Sequence, residues 1–228
     1  MAVGRADDNK RDKLERILRA ARHLFRAHGF DGTTMDAVAA RAGVSKGALF
    51  FHVGSKAELL GRIFEVDFRS WVDDAFADPL ESHVLDQLID AYGSLLLSMC
   101  AQPELTLAYM RDAGSEGGRP WAASAMDRLL DRTAALLRHA QARRELTRRV
   151  DCDQLAYNLW ALYFVEQHRW LLDAAVDEVE VPDRLRAVFG MQLAGFLRPG
   201  AARDAARRAG SSRRAHRHDA VAAHDEAV

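Results

Sequence analysis

The sequence predicts an all-α protein. Apolar residues recur every three or four positions in nearly every segment, which places them on one face of an α-helix. No stretch alternates β-branched and polar residues for long enough to predict a strand. With 228 residues, 49% of them hydrophobic, the chain can bury a core without disulfides or metal ions.

The first predicted helix spans residues 12–28. One apolar stripe runs along it, from Leu14 to Phe25. Gly29 follows directly, and glycine favours the left-handed conformation that ends many helices. The segment before the stripe is polar and charged, so we expect no signal peptide there.

Two short helices follow, over residues 34–42 and 45–52. Thr33 or Thr34 can cap the first and Ser45 can cap the second, because a side-chain oxygen at this position accepts a hydrogen bond from the first helical turn. A tight turn joins the two helices. This arrangement predicts a helix-turn-helix, the unit that places its second helix in the major groove of DNA.

Residues around the turn suit that arrangement. Gly43 lies in the turn, where a small residue lets the two helices meet closely. Gly47 and Ala48 would let the second helix press against base edges, and Lys46 and Lys56 would neutralise phosphates beside it. A helix hairpin inside a bundle can show the same pattern, so a purely structural hairpin stays open as an alternative.

The rest of the chain predicts a larger helical body. A fourth helix begins after Ser55 and is ended by Pro79. Five more helices are expected, over 82–101, 104–113, 121–144, 153–174 and 183–197, with a flexible connection at 114–118. The last segment has almost no large apolar residue, so we expect it to be disordered. The predicted domains are 1–54, 55–198 and a tail over 199–228.

Charge is distributed unevenly along the chain, although the formal net charge is only -1. Lys and Arg outnumber Asp and Glu within the first 60 residues, whereas residues 61–197 are acidic. A basic end on an acidic body favours contact between that end and a polyanion. Charge alone leaves a solvated helix face open as the alternative.

Composition and motifs exclude several classes of protein. Two cysteines are too few for a disulfide framework, and the longest apolar stretch is too short to span a bilayer, which favours a cytoplasmic protein. The sequence has no HExxH, GxSxG, Walker or GxGxxG motif, so we expect no enzyme, no cofactor and no metal site. An all-helical enzyme or protein-interaction module stays open as a less favoured alternative.

A longer string makes the helix-turn-helix prediction specific. It reads GFDGTT at 29–34, AGVSKGALFFHV at 42–53 and SKAEL at 55–59. Over about residues 12–60 the sequence resembles the tetracycline-repressor (TetR) family. The resemblance implies a homodimeric regulator of transcription, usually a repressor, that binds double-stranded DNA. It also implies a C-terminal helical domain that binds a small, partly apolar effector and dimerises through its last two helices; an activator of the same fold stays open.

The resemblance further implies which residues contact DNA. We expect Thr33, Thr34, Met35, Ser45, Lys46, Gly47, Ala48, Phe50, Phe51, His52 and Lys56 to form the contact surface. Phe50 and Phe51 depart from the family pattern, which often has tyrosine at these positions, and a phenyl ring cannot donate a hydrogen bond to a phosphate. The alternative is that both are core residues, which suits Phe51 better than Phe50.

Two further sets of residues are expected in the body. The effector set of aromatic, methionine and histidine side chains comprises Tyr92, Met99, Tyr109, Met110, Trp121, Trp160, Phe164 and His168. Residues of these types at helical spacing also suit a plain core. The dimer set comprises Leu155, Leu159, Leu162, Glu166, Arg169, Leu185, Phe189, Gln192, Leu193 and Phe196, with a monomeric core as the alternative.

Overall fold

The computed structural model describes residues 3–77, 82–113, 119–172 and 179–198, and over these ranges the predicted all-α fold is confirmed. The helices there are α1 (Val3–Gly32), α2 (Met35–Ala42), α3 (Lys46–His52), α4 (Lys56–Ala75), α5 (Val84–Cys100), α6 (Pro103–Ala113), α7 (Arg119–Ala142), α8 (Cys152–Leu172) and α9 (Glu180–Leu193). The predicted connection at 114–118, Pro79 and the predicted tail lie outside the described residues.

α1 begins earlier in the chain than its apolar stripe predicts. The residues ahead of the stripe are polar and charged, and helical periodicity detects a helix only by its buried face. The predicted end is confirmed, because Gly29 has a left-handed φ of 71° and interrupts the helical geometry. A short further turn then continues to Gly32.

The two short helices have side-chain caps at their N-termini. Thr34 Oγ1 and Ser45 Oγ each accept a hydrogen bond from the backbone N–H three residues on, at 3.2 and 3.1 Å. Thr33 is buried instead, and its hydroxyl donates to the carbonyl oxygen of Gly29 at 2.8 Å. Of the two threonines, Thr34 is therefore the cap of α2, as Ser45 is of α3.

The turn between α2 and α3 depends on a left-handed residue. Gly43 has φ 64° and ψ 39°, a conformation that glycine adopts without steric cost. Arg16 of α1 donates from Nη2 to the carbonyl oxygens of Ala42 and Gly43, at 2.5 and 3.0 Å. These bonds satisfy carbonyl groups that the end of a helix leaves unpaired, and they hold α1 against the turn.

The chain divides into two compact units. Unit 1 comprises Met1–Asp74, Ser94–Leu129 and Arg169–Val176, and unit 2 comprises Ala75–Gly93, Leu130–His168 and Asp177–Val228. In unit 1, α1 contacts α2 and α6, and α2 contacts α3. Its fully buried side chains include Ile17, Phe25, Leu49 and Leu59. The domain boundaries at 54 and 198 follow the sequence motifs and stay predictions.

Three aromatic residues form the centre of unit 2. Tyr92, Tyr163 and Phe189 are at most 2% exposed, and the ring centroids of Tyr163 and Phe189 lie 5.0 and 5.1 Å from that of Tyr92. The hydroxyls of Tyr92 and Thr133 share a hydrogen bond of 2.9 Å, which satisfies both buried polar groups.

α9 ends at Leu193, before its predicted end at Leu197. The backbone beyond it pairs with the segment after α7: Thr147 N donates to Phe196 O at 2.9 Å, and Arg198 N donates to Glu145 O at 3.0 Å. The backbone groups of Phe196 and Arg198 therefore form hydrogen bonds with residues about 50 positions earlier in the chain. Local periodicity cannot reveal such pairing.

No described helix is long and apolar enough to cross a membrane on its own. α5 and residues Pro103–Asp112 of α6, taken as one segment, have the length and composition of a membrane span. The two helices are bent by 97° at the break between them.

We expect Gly43→Ala to lower the free energy of unfolding by about 1–2 kcal/mol. Alanine is strained at a left-handed φ, and its Cβ would lie 2.8 Å from Arg16 Nη2. Urea unfolding followed by circular dichroism measures the change. The matched control is Gly195→Ala, where nothing lies within 4 Å of an added Cβ. Equal unfolding midpoints for the two variants would contradict the role of Gly43.

Candidate nucleic-acid interface

α3 has one buried face and one face open to solvent. Leu49 is fully buried and anchors the helix in unit 1. Most of the predicted contact residues lie on the open side: Thr34, Ser45, Lys46, Gly47, Phe50 and Phe51 are exposed, and Met35, Ala48, His52 and Lys56 are partly exposed. The open face is thus available to another molecule.

Thr33 is an exception among the eleven predicted contact residues, all of which the structure describes. It is 2% exposed, and its hydroxyl is bound to the carbonyl oxygen of Gly29. Its side chain therefore stabilises the turn after α1 and cannot reach a ligand, which corrects the prediction for this residue.

The two phenylalanines of α3 are surface residues, so the alternative that they belong to the core is wrong. Phe50 is 42% exposed and Phe51 is 76% exposed. Lys10 Nζ lies 5.7 Å from the centre of the Phe51 ring, and His52 meets that ring edge-on at 5.6 Å. An exposed phenyl ring can contact a thymine methyl group, although it cannot donate to a phosphate.

The two lysines beside α3 have different surroundings. Lys46 is exposed, and its Nζ lies 2.7 Å from Asp36 Oδ1. Lys56 Nζ donates to the carbonyl oxygens of Phe30 and Thr33, at 2.9 and 3.1 Å, and lies 4.5 Å from the centre of the Phe30 ring. Since an exposed ion pair is weak, Lys46 can turn to an anion, whereas Lys56 ties the start of α4 to the end of α1.

No neighbouring residue in the described part of the chain requires a glycine at position 47. It lies inside α3, and nothing lies within 4 Å of a Cβ added there. A glycine within a helix costs roughly 0.5–1 kcal/mol relative to alanine. The absent side chain therefore leaves room on the open face of α3 for a molecule that approaches closely.

His52 ends α3 in positively charged surroundings. Its pKa is lowered by partial burial and then by the charges of Lys10, Lys13 and Arg62. These effects favour the neutral imidazole near neutral pH. An anion bound beside His52 would favour the protonated form instead.

The structure does not bring the predicted effector residues together at one place, and they lie in different settings. Met99 and Tyr109 are buried in unit 1, where Tyr109 stacks on Phe64 with ring centroids 3.8 Å apart. Burial raises the pKa of Tyr109 to about 12, assisted by the charge of Glu65.

Tyr92 belongs to the core of unit 2, where burial raises its pKa. Trp160, Phe164 and His168 stack along one side of α8, with neighbouring centroids 5.5 and 4.5 Å apart. Met110 is partly exposed, and the side chain of Trp121 lies outside the described residues. The effector assignment stays a prediction.

A narrow cleft lies between α1, α4 and α6 within unit 1. Its apolar lining includes Phe25, Phe64 and Trp71, and beside them Arg22 and Asp67 form an ion pair of 2.5 Å. The cleft has a volume of only about 20 Å³, which is room for a water molecule. In this conformation it does not admit an effector.

Half of the predicted dimer residues are buried within one chain. Leu155, Leu159, Leu185, Phe189 and Leu193 are at most 2% exposed. Glu166 is 6% exposed and accepts hydrogen bonds of 2.8 and 3.0 Å from Arg184 of the same chain. Side chains buried in their own chain cannot contact a second copy, so these six positions are corrected to the core of unit 2.

Other apolar residues of α8 and α9 are exposed. The remaining members of the dimer set, Leu162, Arg169, Gln192 and Phe196, are partly or fully exposed. The larger exposed surface comes from Tyr157, Phe164, Val165 and Met191, which are 39–75% exposed. The predicted dimer set omitted Tyr157, Phe164 and Val165 because α8 is apolar on nearly every side, which gives periodicity no direction.

Among the described residues, no group of three or more His, Cys, Asp or Glu side chains is arranged to hold a metal ion.

Residues 17–63 match the family model described as "Bacterial regulatory proteins, tetR family". The HTH-type transcriptional repressor AcnR of Corynebacterium jeikeium (strain K411) is 32% identical over 68 residues, which are 30% of this chain and 36% of that protein. The chain spans half the length or less of the first curated relatives that it matches.

Solved structures match over a larger share of the chain. A protein from Mesorhizobium loti MAFF303099, described as a TetR-family transcriptional regulator, has 20% identity and a TM-score of 0.67, covering 83% of this chain and 98% of that one. Thermus thermophilus FadR, a TetR-family repressor in complex with lauroyl-CoA, has 25% identity and a TM-score of 0.62, covering 82% of this chain and 96% of that one. Residues 17–63 are thus similar to the tetR family of bacterial regulatory proteins, and the described helices share their fold with solved TetR-family regulators.

Proposed function

We propose that the protein is a sequence-specific DNA-binding regulator of transcription in the cytoplasm. It acts as a homodimeric repressor, with residues 1–54 as the DNA-binding domain and 55–198 as the effector-binding and dimerisation domain. The observation that carries the proposal is the open face of α3, where Gly47 leaves space that its neighbours do not need. Repression is supported by AcnR and FadR, both of which are repressors.

In the proposed complex α3 lies in the major groove of DNA. Gly47 and Ala48 let the start of α3 approach base edges, and the exposed rings of Phe50 and Phe51 contact apolar groups such as thymine methyls. Lys46 contacts a phosphate from the side of the groove. Two copies of α3 in a dimer would lie about 34 Å apart and read a pseudo-palindromic operator.

A small, partly apolar effector would release the operator by favouring a conformation with lower affinity for DNA. FadR, which was solved with lauroyl-CoA, supports an effector with an apolar part. An activator of the same fold would use the same surface of α3 and differ only in the position of its operator.

The proposed dimer forms through the exposed apolar side of α8 and α9. Its contact surface includes Tyr157, Phe164, Val165 and Met191 in place of the residues that the structure buries. Large apolar side chains exposed together typically mark an interaction surface.

Gly47→Ala should stabilise the fold and weaken DNA binding at the same time. We expect a free energy of unfolding higher by up to about 1 kcal/mol, because alanine favours a helix. We also expect operator affinity to fall about tenfold, since a methyl group forced into a close contact costs roughly 1–3 kcal/mol. The operator is first identified by selecting fragments of the source's genomic DNA that bind the wild-type protein. Gel shifts with that operator then measure the affinity of each variant.

The matched control for this prediction is Gly195→Ala, which also enters open space but belongs to unit 2 and not to α3. It should leave operator affinity unchanged. Wild-type affinity in Gly47→Ala, or failure to select any fragment, would contradict the docking of α3.

Operator affinity should rise as the pH falls below about 6.5, because a phosphate stabilises the protonated form of His52 and binding then takes up a proton. The free energy of unfolding should fall over the same range, since the pKa of His52 is lowered in the folded state and the unfolded chain binds more protons. His52→Gln should remove both contributions. Fluorescence anisotropy and urea unfolding at pH 5.5 and 7.5 measure them, and identical pH dependences of the two proteins would refute the role of His52.

Val165→Arg should convert a dimer to a monomer, because it places a charge in the proposed apolar contact surface. Val165 is 63% exposed, so the substitution leaves the core intact. The control is Val66→Arg on α4, where the valine is 50% exposed. Sedimentation velocity measures the assembly. A monomeric wild-type protein, or a dimeric Val165→Arg variant, would rule out this surface.

A further inference from the structure

A basic cleft lies between α1 and the end of α2 in unit 1. It has a volume of about 360 Å³ and is lined by Arg16, Arg19, Ala20, His23, Arg41 and Ala42. Ala20 and Ala42 are 6% and 5% exposed, so the cleft has small apolar residues at its base and basic side chains around it. None of the predicted DNA-contact residues lines it.

The positive charges of this cleft are largely uncompensated. The guanidinium groups of Arg19 and Arg41 have no carboxylate within ion-pair distance in the described part of the chain, and both residues are exposed. Asp12 Oδ2 is 4.0 Å from Arg16 Nη1, at the edge of ion-pair distance. Among the described residues that line the cleft, none is acidic.

Arg16 is held in place independently of any ligand. Its Nη2 donates to the carbonyl oxygens of Ala42 and Gly43, so the side chain does not need to be ordered when an anion binds. A guanidinium group has five N–H donors, and these two bonds leave others free. One side of the cleft is therefore preorganised, which lowers the entropic cost of binding.

We propose that this cleft binds a phosphate group. Three guanidinium groups favour an anion with several acceptor oxygens, because arginine recognises phosphate through paired N–H donors. A phosphate monoester carries about -1.5 to -2 charges at neutral pH, which suits the excess of positive charge. The phosphate belongs either to a small free anion or to the backbone of a bound duplex.

The experiment uses the full chain and has two arms. In the first, sodium phosphate is titrated at constant ionic strength, and the imidazole C–H signals of His23 are followed by NMR. In the second, a random-sequence duplex is bound at several salt concentrations. The test variant is Arg19→Gln with Arg41→Gln, and the control of equal charge is Arg148→Gln with Arg149→Gln, two exposed residues of unit 2.

A free-phosphate site predicts a saturable shift of the His23 signals that weakens at least tenfold in the test variant and persists in the control. A backbone-phosphate site predicts no such shift. It predicts instead a change in the plot of log K for duplex binding against log salt concentration. In the test variant alone, the slope becomes shallower by about 0.9 for each phosphate that the protein no longer neutralises. Either result supports the cleft as a phosphate site and identifies the source of the phosphate.

The proposal is overturned if neither arm responds, or if the test and control variants behave alike. Failure of the proposed function is distinguishable from this result. A protein that binds no DNA still responds in the first arm if the cleft binds a small free anion, and that arm alone then decides.

Discussion

The contact between Arg16 and the end of α2 fixes the geometry on which the candidate interface depends. The left-handed Gly43 reverses the chain, and Arg16 binds the carbonyl oxygens of Ala42 and Gly43 that the reversal exposes. α1 is thereby joined to the turn, and the direction in which α3 leaves the turn is set. The same contact forms one wall of the basic cleft, so the fold and the proposed phosphate site share this arginine.

The end of α1 has a second structural role in unit 1. Beyond its kink at Gly29, the carbonyl oxygens of Phe30 and Thr33 accept hydrogen bonds from Lys56 at the start of α4. Further along α4, Asp67 pairs with Arg22 of α1 at 2.5 Å. α4 is therefore attached to α1 at two points, on the C-terminal side of α3.

Local signals in the sequence predicted the helices and the cap at Ser45, and they narrowed the cap of α2 to Thr33 or Thr34, because a cap is decided by residues within one turn. They did not predict that Lys56 would bind carbonyl oxygens more than 20 residues away, since that contact depends on how α1 and α4 pack together. The periodicity of apolar residues also could not predict which side of α8 is buried. Leu159 is buried while Val165 is exposed, and both are apolar.

The ion pair between Asp36 and Lys46 gives the surface of α3 a built-in competitor for the polyanion. Before Lys46 can reach a phosphate, it must give up or share a carboxylate 2.7 Å away. The exchange would cost little, because both groups are exposed, but in the proposed complex it would accompany binding to any duplex. The carboxylate would then lower affinity for all sequences equally, and discrimination would be left to the side chains that reach the bases.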